Sequence, residues 1–431
     1  MPVSSRTLRY GNRQLSLPVD PSPHLRSDPT LNGRALHWLD APGLPAVRQP
    51  DRLIQRACTA AAELARGQLG SRGRLCLLVP DRTRPALLPV LLPRLLTALE
   101  GFGVGADRVT IVPASGIHRP MPHDELRRWL GLETIERKVA LSPHDASRPG
   151  VRLGVTADRL PVVVHPAIGA ADAVLAIGRI VFHYLAGFGG GPKLLLPGVA
   201  ARRSVLAAHS RTLDGRSRHP RCRAGVLDGN PFHAVLRAGA ALFPPAIVLN
   251  VTLTTSGELA ELTVGPLDSH RPAALRYGRA FRAAVTEPFD GVIVSAGGQP
   301  ADRDLVQAHK ALDAVAPIVR EGGAIVLVAA CADGVGNPEL IEGLSVGGAE
   351  TIARALEADF RVGWQTALAL AEKTRRFRVS ALTELPDDVL ELAGMTRLES
   401  LDELAGWATR VGGRLAVAPC GASLCYGAAP P

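Results

Sequence analysis

From about residue 72 the chain alternates short apolar runs with longer amphipathic stretches, the pattern of repeated strand–helix units. Arg74 to Pro80 is apolar throughout after its first residue, which predicts a strand covered on both faces. The leucine-rich stretch after it predicts a helix to about Leu99, in spite of its prolines. Arg108–Ser115 reads as a second strand, with a short helix around Asp124–Leu130. Lys138–Leu141, Pro161–His165 and Ala173–Ile177 read as further strands. A glycine-rich loop follows, and Pro197-Gly198 closes it before a helix at about Ala201–Leu213. Ala246–Leu253 and Glu258–Val264 form a hairpin turning at Ser256-Gly257, and Arg271–Val285 reads as a helical connection. A second series begins with Gly291–Ser295 and continues with Ala324–Ala329. The first 70 residues are proline-rich and give no clear period.

This pattern predicts an α/β protein of two domains with mostly parallel sheets, divided near 270–285. Residues 1–275 form the expected catalytic domain and 276–431 the second, with the last 20 or so packing back on the first. The active site is expected in the cleft between them. Nothing near the N-terminus resembles a signal peptide, and Pro85–Leu99 is too broken by prolines to span a membrane. Six scattered cysteines without a CxxC pair suggest a reduced, cytoplasmic protein. The net charge of +9 comes without a basic block and with only 4% aromatic residues, so it suits a small anionic ligand better than nucleic acid. Lysine occurs only at 138, 193, 310 and 373, and arginine supplies the other positive charges. A retained lysine is therefore a candidate for amine chemistry, which a guanidinium cannot perform. Lys138 and Lys373 carry no motif and are read as incidental.

Parallel sheets hold ligands beyond the carboxyl ends of their strands. Those segments carry Asp81-Arg82-Thr83-Arg84-Pro85, Ser115-Gly116-Ile117-His118-Arg119-Pro120, Ser142-Pro143-His144-Asp145, and His183-Tyr184-Leu185-Ala186-Gly187-Phe188-Gly189-Gly190-Gly191-Pro192-Lys193. His209 follows in the next helix. In the second half, Gln307 and Lys310 share one helix face. The glycine-rich loop imitates a phosphate cradle but fails the Walker pattern, because Leu194 stands where Ser or Thr is required. A phosphate- or nucleotide-binding protein is one alternative, and a zinc hydrolase using His118, His183 and His209 is another. The zinc reading lacks paired-ligand spacing and leaves Lys193 unexplained.

The ordered set resembles the nickel-pincer-nucleotide-dependent lactate racemase family from about Arg74 to Trp364. The matching motifs are Asp-x-Thr-Arg-Pro, Gly-x-His-Arg-Pro, His-Asp-Ala, His-Tyr-x-Ala-Gly-Phe-x-Gly-Gly-x-Lys, Pro-Gly and Gln-x-x-Lys, with His209 sixteen residues after Lys193. The resemblance implies racemisation or epimerisation of a small 2-hydroxy acid by reversible hydride transfer through a 2-keto acid. The implied cofactor is a pyridinium-3-thioamide-5-thiocarboxylic acid mononucleotide carrying nickel, which separate maturation enzymes would make. Lys193 would carry it covalently and His209 would ligate the metal. Gly189, Gly190 and Gly191 would approach its phosphate, with Asp81, Thr83 and Trp364 also around it. His118 and His183 would be the acid/base pair, with Asp81 orienting Arg84 or a histidine. Arg84, Gln307 and Lys310 would hold the substrate carboxylate. The chain departs from lactate racemases at Gly189, Pro192, Gln299 and Val306. These changes touch the pocket wall and set a larger or less polar 2-hydroxy acid, or a sugar acid, beside lactate as substrate.

Overall fold

A computed structural model describes residues 6–17, 30–31, 33–84, 86–132, 139–421 and 423–427. The chain divides into two compact units: residues 43–212 with 219–278, and residues 1–42 with 213–218 and 279–431. Each unit is built on a mostly parallel sheet, as the strand–helix alternation predicts.

The sheet of the 43–278 unit has six strands, in the spatial order Leu259–Pro266, Ala246–Leu253, Ala173–Arg179, Leu75–Pro80, Val109–Ala114, Ala140–Leu141. Only Leu259–Pro266 runs antiparallel, as the outer arm of the hairpin at Ser256-Gly257. Every residue of Leu75–Pro80 is buried because both faces of the sheet are covered. Leu75, Leu77 and Val79 point into one core with the helices Pro50–Gln68 and Leu88–Gly101. Cys76 and Leu78 point into another, with Leu195, Leu196, Val205 and Phe232. Small residues (Ala57, Cys58, Ala61, Ala62, Ala65) line the buried face of the first helix, which lets the leucines of the second pack closely against it. Pro89 sits in the first turn of that second helix and Pro93 lies within it.

Pro161–Val164 is a strand, as expected, but stands outside the main sheet. It pairs antiparallel with Val151–Val155 in a separate two-stranded ribbon. Lys138 lies outside the described residues.

The other unit holds a seven-stranded sheet in the order Met395–Arg397, Arg378–Leu382, Val319–Val328, Phe289–Ser295, Leu415–Ala418, Arg34–Trp38, Thr30–Leu31. This corrects the expected division of the chain. The strands before Pro42 belong to the C-terminal unit, where Arg34–Trp38 pairs parallel with Leu415–Ala418. The described end of the chain belongs to that unit too, with Cys425–Tyr426 paired to Arg282–Ala283. No helix among the described residues is long and apolar enough to cross a membrane.

Candidate active site

The segment after Leu75–Pro80 turns sharply, with Arg84 N–H donating to Asp81 O at 3.0 Å. The Asp81 carboxylate is thereby turned inward and buried. Its Oδ1 accepts from Thr83 N–H at 3.0 Å and from the Thr83 hydroxyl at 2.6 Å. Its Oδ2 lies 2.5 Å from Nδ1 of His118, which comes from the loop after the neighbouring strand. Burial alone would raise the Asp81 carboxyl, but the facing His118, the bond from Thr83 and the Arg84 charge draw it well below the ordinary range. Asp81 is therefore an anion whose partner is Nδ1–H of His118. Of the two groups it was expected to orient, His118 is the one hydrogen-bonded to it, and the Arg84 charge also acts on it. The Arg84 guanidinium donates to Thr83 O at 2.9 Å. His118 itself is half exposed, with a side-chain accessibility of 47%, and its Nε2 lone pair is left to accept a proton.

His183 is presented the opposite way. It lies in the tight hairpin Phe182–His183/Gly187–Phe188. The N–H groups of Leu185 and Ala186 donate to its Nδ1 at 3.2 and 3.1 Å. With Nδ1 accepting, the ring proton sits on Nε2, so His183 offers a donor where His118 offers an acceptor.

The hairpin leads through the glycine run to Lys193. Gly189 N–H donates to Val181 O at 2.8 Å. Gly191 has φ +50°, and a Cβ there would lie 2.3 Å from Cγ of His270, whose Nδ1 is bonded to Asn250 Oδ1 at 2.8 Å. The glycines answer first to close packing inside the fold. Lys193, in the short helix Pro192–Leu195, has its ammonium destabilised by burial and by Arg84, with Asp81 opposing, and its pKa falls to about 8. At pH 7 roughly a tenth of such an amine is neutral and nucleophilic.

His209 ends the helix Arg202–His209, and its Nδ1–H donates to Val205 O at 2.9 Å. This bond fixes the tautomer and leaves Nε2 as a lone-pair donor, the arrangement common in metal-binding imidazoles. Burial, with the charges of Lys193 and His118, brings its pKa down to about 4, so it is neutral at pH 7. These mutual charge effects place Asp81, Arg84, His118, Lys193 and His209 in one local group. Among the described residues, no three His, Cys, Asp or Glu side chains gather tightly enough to hold a metal. His118, His183 and His209 therefore do not form the zinc site of the alternative reading.

Gln307, Lys310 and Trp364 belong to the other unit. Lys310 Nζ donates to Gln307 Oε1 at 2.6 Å along the helix Leu305–Val315. Asp304 caps that helix by accepting from Gln307 N–H at 2.8 Å, a capping pattern visible in the sequence but not used there. Trp364 packs beside Gly343 and under Arg361, whose guanidinium carbon is 4.9 Å from the ring centroid.

Fold and site thus define a two-unit α/β protein that presents an amine of lowered pKa, an imidazole of fixed tautomer and a carboxylate-backed imidazole within one unit. Residues 32–219 match the family model described as the lactate racemase N-terminal domain, and residues 285–414 match the lactate racemase C-terminal domain. The chain belongs to the lactate racemase family. Curated lactate racemases of Lactiplantibacillus plantarum and Thermoanaerobacterium thermosaccharolyticum are each 28% identical to it, over 64% and 61% of this chain. The matched stretch spans 63% and 61% of those relatives, less than two thirds of their length. The solved lactate racemase apoprotein of the second organism has a TM-score of 0.83 at 23% identity, covering 98% of this chain and 100% of its own. A Thermotoga maritima protein has a TM-score of 0.66 at 18% identity, covering 90% of this chain and 99% of its own. At these identities the two structures speak for the fold.

Proposed function

We propose that this chain is an isomerase, a racemase or epimerase of a small 2-hydroxy acid, working with a nickel-pincer nucleotide held by Lys193 and His209. The observation that carries this reading is the charge-coupled group of Asp81, Arg84, His118, Lys193 and His209. The two holding residues fit such a group chemically. Lys193 has an amine that is partly neutral near pH 7, and His209 has a fixed tautomer with a free Nε2. When bound, the group supplies a nickel centre that takes up and returns a hydride.

The chain's own residues manage the proton and the substrate's orientation. His118 Nε2 accepts the substrate hydroxyl proton, and the Asp81 carboxylate stabilises the imidazolium that results. His183 Nε2–H donates to the same oxygen and holds it while the carbon is planar. Equal roles for the two rings would require His183 to move its proton to Nδ1 and give up two backbone hydrogen bonds, at about 1 kcal/mol each. The Arg84 guanidinium is a carboxylate ligand on this unit. On the other unit, Lys310 steadied by Gln307 is another.

The test is turnover of single enantiomers of lactate, of bulkier 2-hydroxy acids and of sugar acids by cofactor-loaded protein, with deuterium at C2. Retention of the label in the inverted product is expected. Loss of label to solvent at the rate of inversion would mean simple proton abstraction and would overturn the reading.

A further inference from the structure

No motif above includes Asn230, yet this side chain is fully buried and richly bonded. Its oxygen accepts from His233 N–H at 3.1 Å, which caps the helix Pro231–Ala240, and faces the Cys222 thiol at 3.4 Å. Its nitrogen donates to Leu185 O at 2.8 Å and to Val226 O at 3.0 Å. A backbone N–H on one side and two carbonyls on the other fix which way the amide sits.

The carbonyl of Leu185 belongs to the same peptide group as the N–H of Ala186, and that N–H donates to His183 Nδ1 at 3.1 Å. Asn230 thus holds one end of a peptide plane whose other end holds the imidazole. A peptide group that accepts at its oxygen is polarised and donates more strongly at its nitrogen. Leu185 N–H, one peptide earlier, makes the companion bond to Nδ1 at 3.2 Å. The second acceptor, Val226 O, lies so near the hairpin that a Cβ on Gly187 would meet it at 2.3 Å, and Gly225 N–H donates to Gly187 O at 2.9 Å. The turn that presents His183 is therefore seated on the segment that ends in Asn230. The helix that Asn230 caps carries Phe232, whose ring centroid is 4.7 Å from that of His209.

We propose that Asn230 is a positioning residue for the reaction: through the Leu185–Ala186 peptide it keeps the ring proton of His183 on Nε2, the atom that meets the substrate oxygen. This rests on the role given to His183 above. The test is the nitrogen-15 ring shifts of the full chain at about pH 8.5, above the ordinary histidine range, with His183→Gln and His209→Gln assigning the signals. The parent should show the His183 proton on Nε2. Asn230→Ser keeps a favoured helix cap but lacks the nitrogen that reaches Leu185 O; Asn230→Asp keeps the cap and the shape but offers no donor. In either variant the His183 tautomer ratio should move about fivefold toward Nδ1–H, the equivalent of one ordinary hydrogen bond, and its two nitrogen signals should shift in opposite directions. The His209 signals should stay in place, because the cap is kept. Cys222→Ala, which leaves both donors of Asn230 in position, should leave the His183 signals unmoved. A parent protein with the His183 proton on Nδ1 would overturn the assignment. So would unchanged His183 signals in the folded variants, or His209 signals that move as far as those of His183, which would make Asn230 a general support of the fold. No substrate is used, so the outcome is separate from racemisation. A shifted tautomer together with loss of C2 deuterium to solvent would leave Asn230 in control of the His183 proton and overturn only the reading of the reaction.

Discussion

Asp81→Asn isolates the step in which His118 accepts a proton, and the structure fixes how the new amide will sit. Thr83 N–H donates to Oδ1 at 3.0 Å, so the amide oxygen must occupy that position. The amide NH₂ then replaces Oδ2, which lies 2.5 Å from His118 Nδ1. Two donors cannot face each other at that distance, so the ring must place its proton on Nε2, the atom that has to accept from substrate. The variant removes both the acceptor and the carboxylate that stabilises the imidazolium. Loss of general-base assistance costs about 10²–10⁴-fold in rate, or roughly 3–5 kcal/mol of barrier. Cofactor loading should survive, because the Asp81 charge favours the protonated form of Lys193 and its removal leaves the amine no less nucleophilic. The assay is initial-rate racemisation of each enantiomer by chiral chromatography, with loading checked by intact mass and the His118 tautomer by nitrogen-15 ring shifts. Enantiomers are equal in free energy, so kcat/KM must fall equally in both directions even where kcat and KM divide the loss differently. Fully loaded Asp81→Asn protein that racemises within tenfold of the parent, or that keeps the proton on Nδ1 of His118, would refute the reasoning.

Lys193→Arg should keep the charge but abolish the covalent mass increment, and His209→Ala should lower bound nickel while leaving that increment in place; intact mass and metal analysis read both. His144 and His270 are buried with folded pKa values near 4 and 3, below the unfolded value of about 6.5, so their stabilising effect is complete above pH 6.5 and declines below it. At pH 5.5 the two together should remove roughly 3 kcal/mol relative to pH 7.5, and equal denaturant midpoints at the two pH values would contradict the assignment. Gly191→Ala should destabilise by about 2–5 kcal/mol, from backbone strain plus a Cβ 2.3 Å from the His270 ring. Gly103→Ala, at φ +77° with open space around it, should cost only the strain of about 1–2 kcal/mol, and thermal melts of the pair separate the two terms.

The strands from Leu75 onward were legible because a strand covered on both faces must be apolar throughout, and little else produces such short unbroken runs. The same rule found Pro161–Val164 as a strand but could not say which sheet it joins. Its apolarity reflects burial in a ribbon, and its partner Val151–Val155 is half exposed and carries no alternating signal. Arg34–Trp38 was unreadable for a different reason. It is five residues of mixed burial near one edge of a sheet, and its pairing with Leu415–Ala418 joins Leu36 to Leu415, 379 residues apart. At the site, the rule that ligands gather beyond strand ends located the polar segments. The state of each histidine was not readable, because it depends on which neighbour each Nδ1 meets. For His118 that neighbour is a carboxylate 37 residues away, for His183 two amides of its own hairpin, and for His209 a carbonyl one helical turn back.

The scarcity of lysine proved a better guide than its first use suggested. Lys373, read as incidental, is 4% exposed, bonded to Ala369 O at 2.6 Å and paired with Asp313 at 3.0 Å. Burial pushes its pKa down, as it does for Lys193, but the Asp313 carboxylate opposes the loss of the proton. At Lys193 the second influence is the Arg84 guanidinium, which works in the same direction as burial, and the Asp81 carboxylate, which opposes them, is committed to His118. The two amines thus differ in the sign of the leading charge that acts on each. The leading charge on Lys373 favours its ammonium, and that on Lys193 disfavours it. Exchanging Arg84 for glutamine should therefore raise the pKa of Lys193 and slow its reaction with an amine-directed acylating probe, whereas Arg218→Gln, beside Lys373, should leave that reaction unchanged.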